Sequence, residues 1–301
     1  MLVGFLTIVV VIACGAALAQ AKLLDRDDVR LLGELAFFVA TPALMVVTIA
    51  RIDLGQAGVN VAASALALAA CFVSYAVLAT VLWRPAPGEL VIGSLSASYV
   101  NAGNLGVAIS AYVIGDITVV VPTLLVQMLV VQPACLVVLD RVGGGASNVA
   151  AVVRRVVTNP LTVAAVVGAV LAVSGWSLPQ VVDAPLQLLA GAAIPLMLLA
   201  YGAALRLSPG VGLSGHRGEV VLASTLKLAV MPVVAWAVAS ALGLDGPALL
   251  GVVLTAALPT AQNVFVFATR YRVGEDVSRE TVLVTTVAAL PLAMVVAWLL
   301  G

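Results

Sequence analysis

Charge is what this sequence has least of. Only 9% of its 301 residues are Asp, Glu, Lys or Arg, against about 25% in ordinary soluble domains. Histidine occurs once, as His216 in a charged loop that reads as solvated. Cysteine occurs three times, and Cys14, Cys71 and Cys135 all sit inside apolar runs without metal-ligand spacing. Paired carboxylates are also missing from the apolar runs. A membrane enzyme would need a nucleophile with a base, or a set of metal ligands, inside its spans; neither is present, so no enzyme activity, metal or cofactor is expected. The 14 basic and 14 acidic residues cancel to a net charge of zero, which leaves no basic patch for nucleic acid.

What the chain has in excess is apolar matter: 63% of its residues are hydrophobic, and the mean hydropathy is +1.21. No soluble core of this size hides so much apolar surface, and a disordered chain has far less of it. The composition therefore predicts an all-α integral membrane protein with the lipid bilayer as its partner. At about 20 apolar residues per span, the chain holds roughly ten helices with short loops. Val11-Ile12-Ala13-Cys14 has the look of a lipoprotein cleavage box, but a signal peptide begins with a positive segment and the first basic residue is Lys22. Residues 1–20 are accordingly expected to form a retained helix.

Breaks at charges, Gly and Pro place ten spans at about 1–20, 31–50, 58–83, 89–115, 117–139, 160–176, 185–205, 219–243, 247–270 and 281–300. The basic residues test this division. Lys22, Arg26, Arg30, Arg84, Arg141, Arg154, Arg155, Arg206, Arg217, Arg270, Arg272 and Arg279 all fall on one side. The other side has only Arg51, and Lys227 lies within span 8. Cytoplasmic loops collect Lys and Arg, so both termini are expected outside a multi-pass protein of the cell membrane. The connection between spans 5 and 6 reads as a flexible Gly143-Gly144-Gly145 link. An amphipathic helix follows from Asn148 to Thr158, lying on the membrane surface.

Residues 1–141 resemble residues 160–301, with 142–159 as a cytoplasmic connector. Pro42 lies mid-span in span 2 and Pro195 mid-span in span 7, each followed within about a dozen residues by an Arg. Each half then reaches a long span with polar residues at its middle: Asn101-Ala102-Gly103-Asn104-Leu105-Gly106 in span 4, and Pro259-Thr260-Ala261-Gln262-Asn263 in span 9. Five spans is an odd number, so the second copy enters the membrane from the opposite side. Two inverted five-helix repeats built on interrupted helices mark a secondary transporter.

Gly103 and Gly106 weaken the helix by about 1 kcal/mol each relative to Ala. Pro259 removes a backbone N–H, at about 3 kcal/mol. An opened stretch survives in hydrocarbon only against protein or a polar cavity, and Asn101, Asn104, Gln262 and Asn263 supply amides there. Half-helix N-termini carry partial positive charge. Two such breaks crossing at mid-membrane suit a small organic anion, with Asn101, Gly103, Asn104, Gly106, Gln127, Pro259, Thr260, Ala261, Gln262 and Asn263 as substrate-binding residues. The plain alternative is a pair of kinked helices whose amides glue neighbours together. Gln127 is preferred over Gln132 in span 5, because five residues turn an α-helix by about 140°. Lys227 has two readings: it braces opened carbonyls in place of a coupling cation, or it snorkels to the cytoplasmic face. Glu34 reads as interfacial.

These residues also carry a resemblance. Phe38-Val39-Ala40-Thr41-Pro42, Asn101 with Gly106 and on to Gly115-Asp116, Val126-Gln127 with Gln132, Asn159-Pro160, Leu258-Pro259 with Phe265-Val266-Phe267-Ala268 and Tyr271, and Leu290-Pro291 are similar to motifs of the auxin efflux carrier family. That family includes plant PIN proteins and many bacterial carriers. The resemblance implies a ten-helix fold shared with sodium/proton antiporters and bile-acid symporters, working by elevator-like alternating access. Spans 1, 2, 6 and 7 would form a scaffold that pairs two copies in a homodimer. Spans 3–5 and 8–10 would form the moving transport unit, with spans 4 and 9 crossed at its centre. Bacterial relatives are associated with malate and malonate, plant ones with auxin. Two departures stand out: Ala108 replaces a Pro common in relatives, and the long central loop of the best-known plant members is absent.

Overall fold

The computed structural model describes residues 2–51, 54–143, 149–207 and 215–301. Among them the helices run α1 Leu2–Gln20, α2 Arg26–Ile49, α3 Leu54–Leu82, α4 Pro87–Ser98 and α5 Ala102–Ile114. Then come α6 Ile117–Val142, α7 Val149–Val157, α8 Pro160–Ser174, α9 Gln180–Leu207, α10 Arg217–Ala241, α11 Gly246–Ala256, α12 Gln262–Tyr271 and α13 Glu275–Leu300. Seven of these, α1, α2, α3, α6, α9, α10 and α13, are long and apolar enough to cross a membrane. The described residues contain no β-strand, only one isolated β-bridge.

Local chemistry sets several boundaries. α2 begins at Arg26, a turn and more before the expected start. The Asp25 side chain accepts from the N–H groups of Asp27 and Asp28, and the Asp28 carboxylate accepts from the Asp25 N–H. This capping box lets the charged segment join the helix, with the exposed Glu34 3.9 Å from Arg30. At α8 the Asn159 side chain accepts from Leu161 N–H, and Pro160 takes the first turn, where no N–H is needed. An amphipathic helix expected from Asn148 is found as α7; Gly144, Gly145 and Asn148 lie outside the described residues.

Three membrane helices contain a π-helical turn just ahead of a proline. The turns are Ala36–Ala40 before Pro42, Gln127–Val131 before Pro133 and Leu226–Val230 before Pro232. A proline has no N–H for the carbonyl one turn back, and the ladder slides to the wider i→i+5 bond. Pro195 lies inside α9 and Pro291 inside α13, and both helices stay α-helical throughout.

The chain forms two compact units. The first comprises Met1–Ala57, Gly103–Val121 and Arg154–Pro209, with α1, α2, α5, α8 and α9. Its helices touch through glycine. A Cβ on Gly15 would lie 2.2 Å from the Leu199 carbonyl oxygen, and one on Gly202 1.9 Å from that of Ile12, so α1 and α9 approach backbone to backbone as small residues permit in membranes. The second unit comprises Gly58–Ala102, Pro122–Val153 and Gly210–Gly301. Its core includes Tyr75, Ile92, Leu95, Leu139, Val264 and Ala268.

Candidate functional site

Two helices of the second unit open at its centre and pair with each other. α4 ends at Ser98, and Tyr99 turns extended with φ −80° and ψ 112°. α11 ends at Ala256, and Ala261 is extended with φ −70° and ψ 141°. Between these ends Val100 and Thr260 form an antiparallel bridge. The Asn101 N–H donates to the Pro259 carbonyl at 2.9 Å, and the Ala261 N–H to the Tyr99 carbonyl at 3.0 Å.

The break in span 4 therefore lies at Tyr99–Asn101, upstream of the glycines expected to cause it. Gly103, Asn104 and Gly106 belong to the π-helical turn Ala102–Gly106, and all three fall in the first unit. Nothing at Tyr99, Val100 or Asn101 is an intrinsic helix breaker. The partner strand, opened by Pro259, supplies the hydrogen bonds that the helix gives up.

In hydrocarbon every freed backbone group must find a partner. The Val100 N–H donates to Gln127 Oε1, and Gln127 Nε2 donates to the Val100 carbonyl at 3.0 Å. Gln127 thus stands in for an adjacent strand. The Thr260 N–H donates to Thr285 Oγ1 at 3.1 Å, and Thr260 Oγ1 donates to the Ser96 carbonyl at 2.6 Å. The Tyr99 hydroxyl donates to Gln132 Oε1 at 3.2 Å. Both glutamines of α6 therefore reach neighbouring residues of one break, Gln127 the backbone of Val100 and Gln132 the hydroxyl of Tyr99. The π turn Gln127–Val131 widens the winding and brings positions five apart back toward one face.

Lys227 is 0% exposed, and its Nζ donates to the Ala256 carbonyl at 2.7 Å, with Met231 Sδ at 3.3 Å. A snorkelling ammonium would be exposed, and this one is buried against the end of α11.

The remaining amides are less committed. Asn101 is 3% exposed, and its Nδ2 has no hydrogen-bond partner among the described residues. Gln262 is half-buried and Asn263 exposed at the start of α12, where Ala261 offers no capping side chain. That helix start keeps its open N–H groups and positive dipole end. Pro259, Thr260 and Ala261 are buried in the bridge itself.

Sequence reasoning passed over Pro133, Thr285 and Pro232. A signal was present: Pro133 stands six residues after Gln127, and Pro291 six after Thr285. Each pair follows the same rule, a polar side chain that bonds a break and then a proline.

His216 also differs from the expectation of simple solvation. Its Nδ1 lies 3.0 Å from Glu219 Oε1, on the wall of a cavity of about 300 Å³ shared with Glu89, Arg272, Glu275 and Asp276. The hydrogen bond to Glu219 raises the His216 pKa from its usual 6.5, with desolvation opposing and the Glu219, Glu89 and Asp276 charges adding. A raised folded pKa gives stability that is fully present below the unfolded value and fades as pH climbs through the folded one. The thermal-stability advantage of the wild type over His216→Asn is thus expected to shrink from about pH 6 to about pH 8. Melting curves of both proteins across that range measure it; an advantage that grows with pH would contradict the pairing.

Comparison with known proteins bears on the whole chain. The family pattern described as "Membrane transport protein" matches residues 2–297. A protein of Rhizobium meliloti (strain 1021), described as a candidate malonate transporter, is 30% identical over 217 residues, covering 68% of this chain and 65% of that one. Auxin efflux carrier component 3a of Oryza sativa subsp. japonica is 28% identical over 152 residues, or 49% of this chain and 24% of its own. Auxin efflux carrier component 1 of Arabidopsis thaliana is 27% identical over the same length and shares. The chain thus spans less than two thirds of the length of these relatives. The family is one of membrane transporters and not of enzymes, and this chain belongs to it, as a member of the auxin efflux carrier group.

Proposed function

We propose that the protein is a secondary active carrier of a small organic anion, a carboxylate of the malonate kind, across the cell membrane. One observation carries the reading: at the paired break the chain's own side chains hold Val100 and Thr260, yet the buried Asn101 Nδ2 is left without a partner among the described residues. With the open N-terminus of α12 beside Gln262 and Asn263, it offers N–H donors to a carboxylate. Gln127, Pro259, Thr260 and Ala261 would frame the site. The relative described as a candidate malonate transporter favours the same substrate class.

The ten-span inverted repeat belongs to this proposal. Seven long helices, α8 and the two interrupted spans α4/α5 and α11/α12 make up ten. The matched pairs Gln127–Val100 and Thr285–Thr260 support two related halves. Elevator-like movement would carry spans 3–5 and 8–10, while α1, α2, α8 and α9 would act as the scaffold of a homodimer. Sodium or proton coupling, or a channel or sensor on the same fold, are the competing readings.

Purified protein in liposomes is expected to accumulate labelled malonate or another small carboxylate saturably and against its gradient. Flux that never saturates and only equalises the two sides would make it a channel. Topology gives a second check. Single cysteines at Asp183 and Asp245 should react from outside, and at Arg26, Arg154 and Arg272 from inside; Asp53, expected outside, lies beyond the described residues. The opposite pattern would sink the inverted repeat.

A further inference from the structure

We propose that His216, Glu219 and Tyr75 form a pH-operated switch inside the second unit, in which the Glu219 carboxylate leaves the imidazole for the tyrosine hydroxyl when the imidazole loses its proton. His216 precedes α10, and Glu219 lies buried in the first turn of that helix, with one carboxylate oxygen 3.0 Å from His216 Nδ1. Tyr75 of α3 lies beside the same carboxylate, near enough to feel its charge. The tyrosine is 0% exposed, and its hydroxyl has no hydrogen-bond partner among the described residues. Its ring rests on a glycine: a Cβ on Gly93 of α4 would lie 2.3 Å from the Tyr75 hydroxyl oxygen. A buried donor left unpaired costs stability, so an acceptor that turned inward would be held there. Glu219 is the carboxylate placed to do so.

The charges around the cavity decide when the carboxylate turns. Glu89 comes from the start of α4, Arg272 from the turn after α12, and Glu275 and Asp276 from the start of α13. Arg279 of α13 is tied to Asp276 at 2.9 Å and lies 3.7 Å from Glu280. Arg217 follows His216 in the chain, and Arg84 follows Trp83, the ring that packs on Gly218 of α10. Charged, His216 gives Glu219 a counter-charge at 3.0 Å. Neutral, it leaves Glu219 facing Glu89, Glu275 and Asp276 with like charge. A tyrosine hydroxyl brings no charge and donates an O–H, and a hydrogen bond to an ionised acceptor is among the strong ones. The bond to Glu219 raises the His216 pKa from 6.5, so the exchange falls above that pH. The change reaches the break through packing. Tyr75 shares a buried cluster with Ala97 of α4 and with Ala223 and Leu226 of α10, and α4 ends one residue after Ala97.

The switch does not depend on which substrate is carried, and its test uses none. Full-length protein in detergent is taken from about pH 6 to about pH 8 while its infrared difference spectrum is recorded. The wild type should show a tyrosine C–O band that shifts as the hydroxyl begins to donate. That shift should vanish in Tyr75→Phe, which lacks the donor, in Glu219→Gln, which lacks the carboxylate, and in His216→Asn, which lacks the titrating group. Melting curves give an independent reading. Tyr75→Phe keeps the ring on Gly93 and loses only the hydroxyl. It should melt with the wild type at about pH 6, where that hydroxyl is unpaired, and below the wild type at about pH 8, where it holds Glu219. This trend runs opposite to the one expected of His216→Asn. A tyrosine shift that survives in Tyr75→Phe or in His216→Asn, or a Tyr75→Phe protein that melts with the wild type at both pH values, overturns the proposal.

Discussion

Gln127→Ala is expected to lose stability rather than substrate affinity. Both polar atoms of the Gln127 side chain are committed to Val100, one accepting from its N–H and one donating to its carbonyl. Truncation orphans two backbone groups in a buried, water-poor place. Each unsatisfied group costs about 1–3 kcal/mol, so the pair costs about 2–6 kcal/mol, set against a total of about 5–15 kcal/mol for a typical folded protein. A large fall in melting temperature follows. Gln127→Glu keeps an acceptor for the Val100 N–H but has no donor for the carbonyl when ionised, and should fall in between. Carboxylate binding by whatever Gln127→Ala protein remains folded should match the wild type. Melting curves and equilibrium binding on the same preparations separate the two effects. Normal melting with weakened binding would return Gln127 to the substrate site.

The second break was legible because its cause is covalent. Pro259 has no N–H, and no tertiary context can restore one. The first break was legible only to within a turn. Gly103 and Gly106 pointed to the right span, yet the backbone opens at Tyr99, Val100 and Asn101, residues with no special aversion to the helix. They open because another opened strand lies within hydrogen-bonding reach, and a pairing between residues so far apart in sequence leaves no local mark. The long apolar helices follow directly from composition, and α7 from its amphipathic pattern. What spacing could not show was the re-aiming of side chains by π turns. An α-helical wheel sets Gln127 and Gln132 on different faces, and the extra residue in the turn before Pro133 brings them to neighbouring residues of one break. Lys227 was ambiguous for the same reason. Its depth is plain from sequence, but its direction depends on the turn before Pro232 and on a carbonyl freed in another helix.

Asn101→Ala and Asn263→Ala are expected to do the reverse of Gln127→Ala and weaken binding while leaving the fold intact. Asn101 is buried, yet its side-chain Nδ2 donates to nothing among the described residues. An unpaired buried donor costs stability, so deleting it should not lower the melting temperature. Asn263 is exposed at the start of α12 and can be truncated with equally little effect on folding. A hydrogen bond to a charged ligand group contributes about 1.5–3 kcal/mol, so each variant should bind a carboxylate about 10- to 150-fold more weakly. Asn101→Asp sharpens the test, since a carboxylate there would repel an anion and remove the donor together. The competing account, amides that merely glue helices, predicts the other pattern. Interhelical hydrogen bonds in lipid average only about 0.6 kcal/mol, so it expects a slight fall in melting temperature and unchanged affinity. Isothermal titration with malonate and related dicarboxylates, alongside melting curves, distinguishes the two. Wild-type affinity in both variants would leave the crossing as a structural joint and move the substrate site elsewhere in the unit.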